Sequence, residues 1–237
     1  MAPSYESLRD TALDSLKKYM DSMPPSKGKK LAYWVQDYTR FLKHEETFKP
    51  QKYVRYKRGA VIKAHLGYRI GSEQGGLHYA IVIENDNSIY NPTLTIIPLT
   101  SVKDGFELSK LHHSQVYLGD EIYSTINTHL NNEISSAQER LDELKVKLDE
   151  EDTPKEDLRA ELTSIYEQIK YCQKLRAEVD KMKIGSIALV GQITTISKIR
   201  IYDPKYPSDA LSKIRVSNAT LDLLDKKINE LFCYPQK

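Results

Sequence analysis

Apolar residues recur at two different spacings along this chain, and the change of spacing divides it into helical and strand-like stretches. Residues 1–23 place Leu8, Ala12, Leu16, Tyr19 and Met20 at helical spacing, with Ser4 as N-cap. Met23-Pro24-Pro25-Ser26-Lys27-Gly28 reads as a breaker and linker, because proline ends a helix and glycine loosens the chain. A second helix is expected from Leu31 to about His44, with Trp34, Tyr38, Phe41 and Leu42 on one face. From Ala60 the period shortens. Ala60–His65, His78–Glu84 and Thr93–Leu99 are runs rich in β-branched and aromatic residues, too short for typical helices. A glycine loop, Gly71-Ser72-Glu73-Gln74-Gly75-Gly76, precedes the second run, and Asn85, Asp86, Asn87 and Ser88 form a polar turn after it. Leu66–Ser101 therefore reads as loop, buried strand, turn and buried strand, with polar groups gathered at strand ends where a sheet can hold them.

Ser114–Leu118 is a further strand, after which a helical period dominates. Ile126, Leu130, Ile134, Ala137, Leu141, Leu144 and Leu148 recur at spacings of three and four. Leu158, Leu162, Ile165, Ile169, Cys172, Leu175, Val179 and Met182 repeat the pattern beyond a break at Glu150–Pro154. Thr153 is the expected cap of the second helix, with Pro154 at its first position. This predicts an antiparallel helical hairpin with coiled-coil-like packing, each arm about 35–40 Å long. Its charged outer faces suit simple solvation, partner binding, a dimer interface or gating of a site. Ser186–Val190 and Thr194–Tyr202 are strands around Gly191-Gln192. Asp203–Ser208 is a loop, and Ala219–Phe232 is a final amphipathic helix capped by Ser217 or Asn218.

Composition narrows the picture only a little. The chain has 237 residues, 40% hydrophobic and 29% charged, as expected for a globular protein with a substantial core. A formal net charge of +2 means that any nucleic-acid face must be local. Tyr53, Arg55, Tyr56, Lys57 and Arg58 interleave rings with cations, a pattern suited to RNA and equally to an ordinary edge strand. Cys172 and Cys233 lack metal-like spacing and are expected to be buried, reduced thiols. The start of the chain lacks an apolar signal stretch, and no run is long enough to span a bilayer, so a cytoplasmic protein is expected.

The loop Gly71–Gly76, the strand after it, and the Pro92-Thr93 strand ending in Thr100 together resemble the core of MazF/PemK-type toxins, bacterial endoribonucleases of toxin–antitoxin modules. Arg58-Gly59-Ala60-Val61 resembles the opening strand of that family. Ser186–Ile196 resembles its late strand pair, with Gln192 in the family's glutamine position. The resemblance covers roughly residues 53–118 and 184–232. It implies an α+β fold: an SH3-like β-barrel with a C-terminal helix, two added N-terminal helices and an inserted helical hairpin. The corresponding division is 1–50 helical extension, 51–122 first part of the barrel, 123–183 hairpin, and 184–237 second part with the last helix.

The same resemblance implies the chemistry: cleavage of single-stranded RNA, mRNA included, by its own 2′-hydroxyl, without metal or other cofactor. It implies a homodimer and a cognate antitoxin that blocks the RNA groove. Carried over by position, Thr100 and Glu73 match family catalytic residues, and His78 stands where the family has arginine. Arginine is a fixed cation, whereas histidine exchanges protons near neutral pH, so His78 points toward acid–base cleavage or toward divergence. Arg69, Ser72, Gln74, Gly75, Gly76, Lys57, Arg58, Ser101 and Gln192 are the expected RNA contacts. Arg69 would replace the lost phosphate contact. Lys198 and Arg200 read as a solvated basic strand or a further phosphate contact. Ala60 and His65 stand where the family has aspartates; His65 reads as a structural residue or as a second acid–base partner. The rival reading is a binding protein on the same fold: an inert RNA- or antitoxin-binding relative, or a gyrase inhibitor of the CcdB kind. The two N-terminal helices would either pack on the barrel or lie over its groove.

Overall fold

The computed structural model describes residues 2–148 and 154–234. They form two compact units. The first holds Met1–Phe48 together with Leu66–Gly76, and the second holds Lys49–His65 with Leu77–Lys237.

In the first unit, α1 spans Tyr5–Ser22 and α2 spans Pro25–Glu45. Ser4 caps α1 by accepting from the Ser7 amide at 3.3 Å. The expected linker shrinks to a joint, because Pro25 occupies the first turn of α2, where its missing N–H costs nothing. Gly28 lies inside α2, and a β-carbon there would sit in ordinary contact, 3.4 Å from the Met20 carbonyl at the end of α1. Leu31 is the one buried residue of α2, and none is buried in α1.

The second unit is built on seven strands: β1 Val61–His65, β2 Leu77–Val82, β3 Thr93–Ser101, β4 Val116–Tyr117, β5 Ser186–Ala188, β6 Thr194–Ser197 and β7 Ile201–Asp203. Every pairing is antiparallel, in the order β4-β5-β3-β2-β1-β7, with β6 on β3. Its helices are α3 Glu121–Leu148, α4 Lys155–Val179 and α5 Asn218–Phe232. Ser217 caps α5 by accepting from the Thr220 amide at 3.2 Å.

The expected barrel is not closed. The single strand expected over Thr194–Tyr202 is interrupted by a 3-10 turn at Lys198–Arg200, so β6 pairs with β3 and β7 with β1 without a continuous ladder between them. β3 divides its partners as well: Thr93–Ile96 pair with β6, and Leu99–Ser101 pair with β5. Pro98 lies at that switch, where a residue with no N–H is tolerated inside a central strand.

Strand alternation gives the sheet two buried faces. Val61, Ile81, Ile97 and Leu99 join a core with Ile122, Ile126 and Leu130 of α3, Leu175 and Val179 of α4, and Leu221 and Leu224 of α5. Burying each Ile or Leu of this kind is worth about 1.5–3 kcal/mol. The base of the hairpin is thus part of the same core as the sheet. Toward the tip, Leu148 and Leu162 of the expected seam are exposed, as is Ile134 in the middle of α3. Arg140 to Gln168 and Ser164, and Lys147 to Glu161, tie the two antiparallel arms by polar contacts. Thr153, the expected cap of α4, lies outside the described residues, and Pro154 precedes the first helical residue. Cys172 is buried but Cys233 is exposed, because it follows the last turn of α5 and does not belong to its apolar face.

Candidate active site

β2 and β3 bring two of the expected residues to the same end of the sheet. Their register sets Val82 opposite Ile96, Ile81 opposite Ile97 and Ala80 opposite Pro98. That register ends two residues short of His78 and Thr100, and alternation puts His78 on the face that also holds Ala64 and Ala80. The backbone ladder stops at Pro98, and the His78 side chain takes over: its Nδ1 lies 3.2 Å from the carbonyl oxygen of Leu99. A carbonyl only accepts, so Nδ1 carries the hydrogen of this bond. In the neutral ring, Nε2 is then the basic nitrogen. Thr100 is half-buried and pairs with Ile187 of β5; Ser101 next to it is exposed and pairs with Ser186.

The glycine loop belongs to the first unit and closes on itself. The Leu66 amide donates to Gly76 O at 2.7 Å and the Gly76 amide to Gly67 O at 2.8 Å. Gly76 has φ +89° and Gly71 φ +61°, backbone states that suit glycine. A β-carbon at Gly75 would lie 2.9 Å from Gly67 O. Arg69 donates Nε to Leu66 O at 2.6 Å, and its Nη1 lies 3.9 Å from Glu73 Oε2. Glu73 and Ser72 are exposed, and Gln74 is partly buried. The structure thus pairs Glu73 with Arg69 inside the loop.

The other expected contacts are scattered through the second unit. Lys57 is exposed. Arg58 is held by Asp225 of α5 and by the Ile83 carbonyl, so its guanidinium ties α5 to the sheet. Gln192 lies half-buried in a 3-10 turn at Val190–Gln192. Tyr53 and Tyr56 are buried, Tyr56 with its hydroxyl on Pro204 O at 2.7 Å, so neither ring offers a stacking platform. Lys198 is buried rather than solvated. It donates to Ser88 O at 3.0 Å and lies over the Tyr56 ring, and burial pulls its pKa down. Arg200 donates to His65 O at 2.8 Å, so both cations brace the fold.

One polar cluster escaped sequence reasoning. Lys63 of β1 pairs in register with Tyr79 of β2 and with Asp203 of β7, and Glu178 of α4 descends onto that row. The Lys63 ammonium reaches Glu178 Oε2 at 2.9 Å, and the Tyr79 hydroxyl donates to the same oxygen. Burial pushes Asp203 up to about 6, helped by Asp209 and Glu178. Lys63 was the available signal, a lysine among Val61, Ile62 and Ala64 in β1, which demands a partner. Among the described residues, no group of three or more His, Cys, Asp or Glu side chains is arranged to hold a metal. No helix among them is long and apolar enough to cross a membrane.

Fold and site together define, among the described residues, an α+β protein with an antiparallel sheet, five helices and a histidine held at one sheet end by the Leu99 carbonyl. Residues 57–164 match the family described as PemK-like, MazF-like toxin of type II toxin-antitoxin system. Residues 57–164 are thus similar to a toxin domain of this family, over a little under half of the chain. The matched span runs from before β1 into α4 and ends short of β5, so the late segment Ser186–Ile196 lies beyond it. A comparison with curated proteins gave no match.

Proposed function

We propose that this protein is the toxin of its module and cleaves single-stranded RNA, using the end of the β2–β3 pair as its catalytic surface. The observation that carries this reading is the bond from His78 Nδ1 to the Leu99 carbonyl, which fixes the ring and leaves Nε2 as its basic atom. His78 accepts the proton of the substrate's 2′-hydroxyl as that oxygen attacks the adjacent phosphorus. The bond to the 5′-oxygen breaks, that oxygen is protonated, and the products are a 2′,3′-cyclic phosphate and a 5′-hydroxyl. Thr100 donates a hydrogen bond to a non-bridging phosphate oxygen as negative charge builds there. Glu73 enters through the family resemblance, and its ion pair with Arg69 supports a role in ordering the glycine loop. Homodimer formation and neutralisation by an antitoxin belong to the same reading.

The test is incubation of the purified protein with single-stranded RNA in chelator, beside His78→Ala. The expected result is cyclic-phosphate ends from the unmutated protein and a loss of about 10²–10⁴-fold in the variant. Cleavage that survives the substitution removes His78 from the chemistry. Intact RNA across varied sequences favours the binding reading, and a supercoiling assay then separates a gyrase inhibitor from an inert relative.

A further inference from the structure

Helix α1 carries an apolar stripe that reads the same in both directions. Tyr5, Leu8, Ala12, Leu16 and Tyr19 follow spacings of 3, 4, 4 and 3, so Tyr5 mirrors Tyr19 and Leu8 mirrors Leu16 about Ala12. At 3.6 residues per turn, all five lie on one side of the helix. That side is uncovered over most of its length. Tyr5 is 72% exposed, Leu8 60% and Tyr19 59%, and Ala12 is exposed too. Near the C-terminal end of α1, Gly28 of α2 lies beside Met20 and Met23.

One set of charges, Glu6 with Lys17 and Lys18, follows the same symmetry. Glu6 stands as far before Ala12 as Lys18 stands after it, and Lys17 shares Glu6's flank of the helix. In an antiparallel pair of α1 helices, Glu6 of each copy therefore comes level with the Lys17–Lys18 pair of the other. A parallel pair would instead bring opposite flanks together, so that Glu6 meets the level of Ser7 and no cation. The smallest residue of the stripe lies on the two-fold axis, where two backbones approach most closely.

We infer that α1 is a self-association surface, occupied by α1 of a second copy of this chain in an antiparallel pairing centred on Ala12. A two-fold interface requires the same patch to be self-complementary, and a mirrored stripe with oppositely charged ends meets that requirement. The helix lies outside the span matched to the toxin family. The pairing thus names a face for the homodimer of the proposed function, yet it is measured without RNA and stands or falls separately from cleavage.

The experiment is sedimentation equilibrium of the full chain with two sets of variants, folding being checked by circular dichroism. α1 has no buried residue, so substitutions on it should leave the fold intact. Ala12→Glu places two carboxylates together on the axis and is expected to raise the dimer dissociation constant at least tenfold. Glu6→Lys alone, and Lys17→Glu with Lys18→Glu, should each weaken association, and the three together should restore it. In a Cys233→Ser background, Ala12→Cys is expected to give a disulfide-linked dimer under mild oxidation. Glu6→Cys should not, because antiparallel pairing holds the two copies of position 6 about 18 Å apart along the axis. A monomer at all concentrations, or a dimer indifferent to Ala12→Glu and uncrosslinked at position 12, overturns the assignment.

Discussion

Tyr79 of β2 donates its hydroxyl to Glu178 of α4 at 2.5 Å, and Lys63, its register partner on β1, reaches the same carboxylate oxygen at 2.9 Å. One acidic side chain from the hairpin thus closes over one rung of the sheet. Both charged side chains are largely buried, so removing one leaves the other without its partner in a low-dielectric site. Glu178→Ala is expected to cost about 3 kcal/mol and Tyr79→Phe about 1 kcal/mol. Urea unfolding of both variants and their double mutant checks this. Additive losses would mean that the three groups do not act as a unit.

Asp203 sits at the end of the same row and predicts a pH effect. Burial, with Asp209 and Glu178 adding repulsion, lifts it from 3.8 to about 6, against the Leu211 amide and Lys63. A folded-state pKa above the unfolded one means the native protein holds the proton more tightly. The stability this provides is complete below about pH 4 and is lost as pH rises through about 6. The shift corresponds to roughly 2–3 kcal/mol. Asp203→Asn keeps the oxygen that accepts from Leu211 and cannot ionise, so this loss should vanish. Glu178 works in the opposite sense. Burial raises it, but hydrogen bonds from Tyr79 and Lys63 outweigh burial and lower it, so its contribution is lost as pH falls. Unfolding free energies of the unmutated protein and Asp203→Asn from pH 4 to 7 should therefore diverge from about pH 4 and stay apart by a constant amount above about 6. Parallel curves would refute the assignment.

The glycine loop yields a backbone test. A β-carbon at Gly75 would press on Gly67 O at 2.9 Å and on Arg69 Cγ at 3.0 Å. Gly75→Ala must therefore shift the hydrogen-bonded backbone that closes the loop at Gly67, which cannot swing aside. RNA cleavage is expected to fall at least tenfold, with global stability changed by under about 1 kcal/mol because the loop is exposed. Gly71→Ala, at an open position, meets only the cost of its positive φ and should be milder. Equal effects at both glycines would show that packing against Gly67 and Arg69 does not matter.

The elements were legible where periodicity was strong: all five helices and the strands β1, β2 and β3 follow from spacing and capping alone. Other features depended on tertiary partners. Lys198 looks like a solvated strand residue until the turn at Lys198–Arg200 points it inward to Ser88 O, and nothing local encodes that turn. The division of β3 between β5 and β6 is likewise a property of pairing, with Pro98 its only trace in sequence. Arg58 read as a phosphate contact because its partner Asp225 lies 167 residues away. For the site, His78 and Thr100 were found by resemblance to a family motif. The carbonyl that orients the imidazole needed the sheet.

The orientation of His78 gives the most discriminating prediction. If Nε2 accepts the 2′-hydroxyl proton, cleavage must fall tenfold per pH unit on the acidic limb, as the imidazolium form replaces the base. His78→Arg places a permanent cation at the same point of β2; it can hold phosphate but cannot take the proton. That variant should lose the acidic limb along with most of its rate. Thr100→Val, which removes a hydroxyl without touching the ring, should lower the rate by about 10²-fold and leave the limb where it was. Rate measurements on a single short RNA across the pH range separate these outcomes. If His78→Arg matches or exceeds the unmutated protein and keeps its acidic limb, position 78 serves as a phosphate-binding cation. The titrating base must then be sought elsewhere, with Glu73 examined first.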